Sequence, residues 1–437
     1  MTTRPVRRLI LQLAVPSVVI MLVSAMYNVA DTYFVGTTGT SATAAVGVAF
    51  SLQAVIQAIG FFFGHGAGNY ISRALGAQQN DNAGRMAATG FFTAFALGVV
   101  IAVTGLLCLK PLARALGATE TIVPYACDYL RYILIAAPFM ISSFMLNNLL
   151  RFQGAAFWGM VGMVSGAALN VALDPLFIFG FDMGVSGAAL ATLISQTLSF
   201  TLLFVVGCTR KYTVRILLRN FTPEYFYYKE MLRGGTPSLL RQSLLSIATL
   251  ALNHAAGIYG DAVIAAMAIV SRVMMIATSV LLGIGQGYQP VCGFNYGAQR
   301  YARVKQGFWF CFRFSTCLLI VAAIFCFIMA SDIIAVFRGD DPAVISVGAL
   351  ALRFQCFSLP FTGWIVLNNM MLQTIGKAAP ASLLAFSRQG LFLIPLLSVM
   401  TPLWGILGIQ LCAPVADICT FILAIPLGVR TLRGMKT

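Results

Sequence analysis

Pro16-Ser17, Gly64-His65-Gly66, Gly76-Ala77-Gln78 and Asn147-Asn148 return further along the chain as Pro237-Ser238, Gly285-Gln286-Gly287, Gly297-Ala298-Gln299 and Asn368-Asn369. Gly36 with Gly257 and Gly39 with Gly260 keep the same interval, 221 positions (237 less 16). An interval held without a gap over roughly 130 residues is the signature of a tandem duplication. Where a membrane chain is duplicated, the substrate site commonly lies between the two repeats.

The composition sets the medium. Of 437 residues, 59% are hydrophobic and 9% charged, with a mean hydropathy of +0.88, too little polar surface to cover a soluble protein of this size. Long apolar stretches separated by Gly, Pro and charged clusters read as helices, because in lipid every backbone polar group must be satisfied within its own segment. The spans are placed at 10–35, 41–64, 86–108, 125–150, 157–180, 185–207, 236–259, 262–287, 307–330, 346–372, 379–400 and 404–429. The expected fold is an all-α membrane protein of twelve transmembrane helices in two six-helix lobes. Six spans per repeat is even, so both halves enter from one side and are expected to be related by a pseudo-two-fold axis along the membrane normal. The N-lobe is taken as residues 1–207, a cytoplasmic linker as 208–235 and the C-lobe as 236–437. Met1 to Arg8 reads as a basic lead of mature sequence, with no small-residue cleavage site behind the first span.

The charges orient the chain. Basic residues such as Arg7, Arg8, Arg73, Arg85, Arg151, Arg219, Arg300, Lys377 and Arg433 gather on one side, while the other holds only Lys110, Arg114 and Arg338 among several acids. The positive-inside rule puts both termini in the cytoplasm. The net charge of +15 is therefore topological and implies no nucleic-acid partner. The ten cysteines are scattered through apolar spans without a Cys-x-x-Cys pair, and read as small buried hydrophobes.

Differences between the halves locate the chemistry, since whatever one half alone carries is not needed to fold the repeat. Asp31 corresponds to Leu252, and Asp174 falls opposite Leu391-Phe392-Leu393-Ile394-Pro395, where no acid stands. A carboxylate at the centre of a span costs about 2.5–3.5 kcal/mol, so it is expected to face a wet cavity or a partner. Tyr27 and Asp31 lie four apart, as do Asn170 and Asp174, so each pair shares a helix face. Pro175 lacks the amide that would bond the carbonyl of Val171 and leaves an oxygen toward the same region. Two carboxylates, an Asn and free oxygens suit Na⁺, and they equally suit a shared proton.

Other polar residues have simpler readings. His65 sits in a Gly-rich span end, where Gln286 replaces it in the repeat, and reads as structural; His254, mid-span beside Asn253, is open to a proton-relay role. Arg241, Arg272, Arg353 and Arg388 fall in or near spans and can snorkel to the interface. Arg241 and Asp417 could instead pair within the C-lobe or face its cavity. Gly64-x-Gly66-x-Gly68 imitates a nucleotide loop, but no strand precedes it and close helix packing explains it. The Met and Phe residues are mostly core, a minority lining an adaptable apolar cavity.

Three stretches carry a family resemblance: Tyr27-Asn28-Val29-Ala30-Asp31-Thr32-Tyr33-Phe34-Val35-Gly36 in the first span, Leu149-Leu150-Arg151-Phe152-Gln153-Gly154 after the fourth, and Asn170 with Asp174 in the fifth. With the duplicated layout, they make the chain resemble the MATE (multidrug and toxic compound extrusion) family, in its DinF-like branch. The resemblance implies two lobes forming a V and cation-coupled antiport of organic cations by alternating access. It implies no cofactor, H⁺ or Na⁺ as coupling ion, and a monomer in membrane lipid that carries small organic cations. By position it implies a coupling site, which would also hold Na⁺, at Asp31, Asn170, Asp174 and Thr192, and a substrate cavity at Tyr27, Asn147 and Met163. The acidic pair that a NorM-like branch carries in spans 7 and 10 is missing, those regions reading Leu252-Asn253-His254 and Asn368-Asn369-Met370-Met371.

Two other functions share parts of this pattern. A lipid-linked oligosaccharide flippase of the same superfamily commonly has more spans or an Arg-rich cavity. An intramembrane aspartyl protease needs a Gly-x-Gly-Asp setting, whereas here the context is Val171-Ala172-Leu173-Asp174.

Overall fold

The computed structural model describes residues 1–36, 40–209, 214–338 and 341–435, with backbone alone for 25, 27–33, 35, 36, 40–43 and 338. All regular structure among them is helical. The first half runs α1 (Val6–Gly36), α2 (Thr40–Gly76), α3 (Asn80–Leu107), the short α4 (Leu109–Ala115), α5 (Val123–Phe152), α6 (Ala156–Pro175) and α7 (Gly184–Thr209). The second runs α8 (Tyr225–Gly257), α9 (Asp261–Gly297), α10 (Tyr301–Ile328), the short α11 (Ala330–Arg338), α12 (Pro342–Thr374), α13 (Ala378–Phe386), α14 (Ile394–Trp404) and α15 (Ile406–Gly434). A π-helical turn, Leu176–Gly180, prolongs α6, and another, Ser387–Leu393, joins α13 to α14 into one long helix. This is an all-α membrane fold of twelve long helices, six from each repeat.

The duplication is written into the backbone. Gln78 and Gln299 both adopt a left-handed conformation, φ 61° and 58°, which is uncommon outside glycine. The residues after them, Gln79 and Arg300, share φ −89° with ψ 65° and 64°. Gly184 and Gly405 open α7 and α15 at φ 55° and 59°.

Among the described residues, eleven of the long helices are long and apolar enough to cross a membrane. The exception is α8, which begins in a polar segment and carries Arg241, Gln242, Asn253 and His254. Its 33 residues still reach about 50 Å at 1.5 Å each, beyond the roughly 30 Å of a hydrocarbon core.

The chain divides into two compact units, Val19–Gly235 and Met1–Val18 with Thr236–Thr437. In the first, α5 is the central helix, packed on α2, α3, α6 and α7, with Tyr129, Leu130, Ile133 and Leu134 fully buried. In the second, α12 takes that place, packed on α9, α10 and α15. The amino-terminal part of α1 belongs to the second unit, and the start of α8 to the first. The repeated glycines make both attachments: a Cβ on Gly66 would stand 2.5 Å from the Met231 carbonyl oxygen, and one on Gly287 2.5 Å from the Ala14 nitrogen. Polar contacts follow the same pattern, the Arg73–Glu230 ion pair at 2.8 Å in the first unit and the hydrogen bond that Arg300 donates to the Thr2 carbonyl at 2.9 Å in the second.

Candidate functional site

The first unit holds a cavity of about 100 Å³ in its membrane-spanning part, lined from α2 by Gln53 and Gln57, from α5 by Met140 and Phe144, from α6 by Met163, Gly166 and Asn170, and from α7 by Ser195, Gln196 and Ser199. It joins an apolar face suited to an amphipathic body with a set of amides and hydroxyls that hydrogen-bond without fixing a charge. Gln196 Oε1 and Ser195 Oγ find no hydrogen-bond partner among the described residues, so the wall offers an acceptor and a hydroxyl to whatever enters. A larger recess of about 480 Å³, lined by Asp81, Arg85, Arg215 and Arg219, lies between the α2–α3 turn and the basic connection before α8.

Beside the cavity lies a buried oxygen cluster. Asn170 and Asp174 stand one turn apart on α6 and Thr192 faces them from α7, none more than 1% exposed. With the Asn170 amide turned to donate to the carboxylate, its Nδ2 lies 3.0 Å from Asp174 Oδ2 and its Oδ1 lies 3.3 Å from Thr192 Oγ1. In the opposite orientation Nδ2 donates to Thr192 Oγ1, whose own hydroxyl donates to the Ala188 carbonyl at 3.1 Å. An ionised carboxylate only accepts and requires the first arrangement; a protonated one can donate to Oδ1 and permits the second. All donor atoms are hard oxygens, which also fit Na⁺.

The structure thus brings together Asn170, Asp174, Thr192 and Met163. Asn147 is buried on α5, its Oδ1 2.5 Å from where a Cβ on Gly159 would stand, and does not line the cavity. Asp31 and Tyr27 are carried by α1, but their side chains lie outside the described residues. The glutamines and serines were missed in the sequence, although a signal was there: Thr192, Ser195, Gln196 and Ser199 follow the i, i+3, i+4, i+7 spacing of one helix face.

His65 has a structural setting. It is 1% exposed, with Nδ1 3.1 Å from the Phe61 carbonyl and Nε2 3.3 Å from Arg151 Nη2. A guanidinium only donates, so Nε2 accepts and the proton sits on Nδ1. Arg151 also donates to Asn148 Oδ1 at 2.5 Å. His254 is exposed on α8. Arg241 and Asp417, open to pairing by sequence, do not pair: Asp417 binds Arg388, at 2.5 Å from Nε to Oδ1. Arg388 stands in the π-helical turn that joins α13 to α14.

The MatE family profile matches residues 16–176 and 237–399, one match for each repeat. The multidrug export protein MepA of Staphylococcus saprophyticus is 30% identical over 427 residues, 97% of this chain and 93% of that protein. MepA of Staphylococcus aureus strain MRSA252 is 28% identical, covering 96% and 94%. Among solved structures, a MATE protein in its straight conformation superposes with a TM-score of 0.93 at 26% identity, covering 99% of this chain and 97% of that one. A transporter of the MOP superfamily from Pyrococcus furiosus Vc1, described as having a binding pocket of reverse polarity, superposes with a TM-score of 0.92 at 27% identity over 99% and 97%.

Proposed function

The chain belongs to the MATE family of membrane transporters, and from that premise we propose that it is a multidrug exporter, exchanging amphipathic organic cations for H⁺ or Na⁺ by alternating access. The observation that carries this reading is Asn170, which belongs both to the cavity wall and to the buried cluster with Asp174 and Thr192. A cation arriving at Asp174 changes what the Asn170 amide must do, and with it the surface the solute meets. Asp31, from α1, is assigned to the same site by the resemblance of its stretch to the family pattern. Loading from outside weakens solute binding; release to the cytoplasm restores it. Each inward positive charge contributes about 2.3 kcal/mol per 100 mV of membrane potential to uphill export.

The chain works in the bacterial cytoplasmic membrane with both termini inside. Proteoliposome transport of a fluorescent organic cation, under pH and Na⁺ gradients imposed separately, tests the proposal. Transport driven by one gradient alone is the expected result, with coupling absent in Asp31→Asn. Gradient-independent transport would overturn it.

A further inference from the structure

Asp417 and Arg388 form a lopsided ion pair in the second unit. The guanidinium holds the carboxylate through Nε to Oδ1 at 2.5 Å and Nη2 to Oδ2 at 3.4 Å, and Ser358 Oγ, from α12, donates to Oδ2 at 3.1 Å. The Asp417 side chain is 7% exposed and that of Arg388 is 36% exposed, so the cation is the member that meets its surroundings.

The repeat relates this pair to the wall of the first unit's cavity. Gly405 matches Gly184 at an interval of 221, so Asp417 on α15 corresponds to Gln196 on α7. Gly376, at φ 84°, matches Gly154, at φ 90°, one position further along. Arg388 therefore corresponds to Gly166 at the longer interval and to Ala167 at the shorter. Gln196, Gly166 and Ala167 all line the first unit's cavity. Where the first unit has a neutral amide and two small residues, the second has a charge pair.

We propose that Arg388, oriented by Asp417 and Ser358, is a recognition site for the carboxylate of zwitterionic or anionic amphipathic solutes. The proposal rests on the export reading and assigns to the second unit the residue that selects solutes bearing a carboxylate. A guanidinium has five N–H donors, and Asp417 engages only Nε and one on Nη2. The remaining donors suit a second carboxylate side-on, as a two-pronged charge-assisted pair. Asp417 supplies the counter-charge that lets the cation stand within a membrane-spanning segment before any solute arrives. A π-helical turn at Ser387–Leu393 is a common mark of a functional position within a helix.

The test uses the purified full-length protein in detergent and fluorescence anisotropy with two dyes, rhodamine B, which has a free carboxylate, and its ethyl ester, which does not. The double variant Arg388→Gln/Asp417→Asn removes both charges and leaves no buried ion alone. Its affinity for rhodamine B is expected to fall about tenfold, the worth of one charge-assisted hydrogen bond, with the ester changed by less than about twofold. Arg388→Lys keeps the charge without the fork and is expected to fall between; it decides by the same affinity ratio if the double variant does not fold. Parallel loss of both dyes, or no change in either, overturns the proposal. Failure of the unmodified protein to bind even the ester overturns the export reading itself.

Discussion

At the residue scale the proposed coupling group is Asp174, whose carboxylate lies against the Asn170 amide, itself facing the Thr192 hydroxyl. Asp174→Asn keeps the volume and cannot ionise. It is expected to leave the protein in the membrane and cut gradient-driven transport about 100-fold, the upper part of the range for coupling between two sites. Proteoliposome flux against an uncoupled leak measures it. Thr192→Val removes one oxygen and is expected to weaken the coupling cation about tenfold, while Thr192→Ser changes it little. Cation titration of solute binding reads both. Asn170 and Asp174 were legible in the sequence because their four-residue spacing lies within one helix turn. The Arg388–Asp417 pair was not, since its partners are 29 positions apart on different helices and no local spacing links them.

At the element scale the glycines do the positioning. Gly66 lets α2 approach the start of α8 so closely that any Cβ meets the Met231 carbonyl, a backbone atom that cannot swing aside. Gly66→Ala is expected to destabilise the protein by about 1–3 kcal/mol, the usual cost of overpacking. Gly47, on the same helix, has nothing within 4 Å of a built Cβ. Gly47→Ala is expected to be neutral or to stabilise by up to about 1 kcal/mol, because alanine loses less backbone entropy in a helix. Thermal unfolding of the two variants in one detergent gives opposite signs if close approach, and not glycine's flexibility, explains the repeated motif. The sequence disclosed that Gly64-His65-Gly66 recurs, because turn and contact requirements fall on single residues. Which helix it receives was not disclosed, because that helix lies more than 150 positions away and no local pattern names it.

At the scale of the whole molecule, the duplication and the twelve helices were legible because hydropathy and a fixed interval are long-range averages, insensitive to any one side chain. The least apolar helix, α8, shows where an average falls short: Arg241 and His254 dilute it although the repeat requires it to span as α1 does. Orientation rests on a similar average, the crowding of Lys and Arg on one side, and export in place of import depends on it. With the ten natural cysteines replaced, exposed Thr119 before α5 and exposed Glu224 before α8 become opposite reporters when changed singly to Cys. A membrane-impermeant maleimide applied to intact cells is expected to label Thr119→Cys at once, and Glu224→Cys only after permeabilisation. The reverse labelling would put the basic connections outside and turn the proposed cation gradient against export. Asp174 would then be loaded from the cytoplasm, and an inward-directed gradient would hold the solute in.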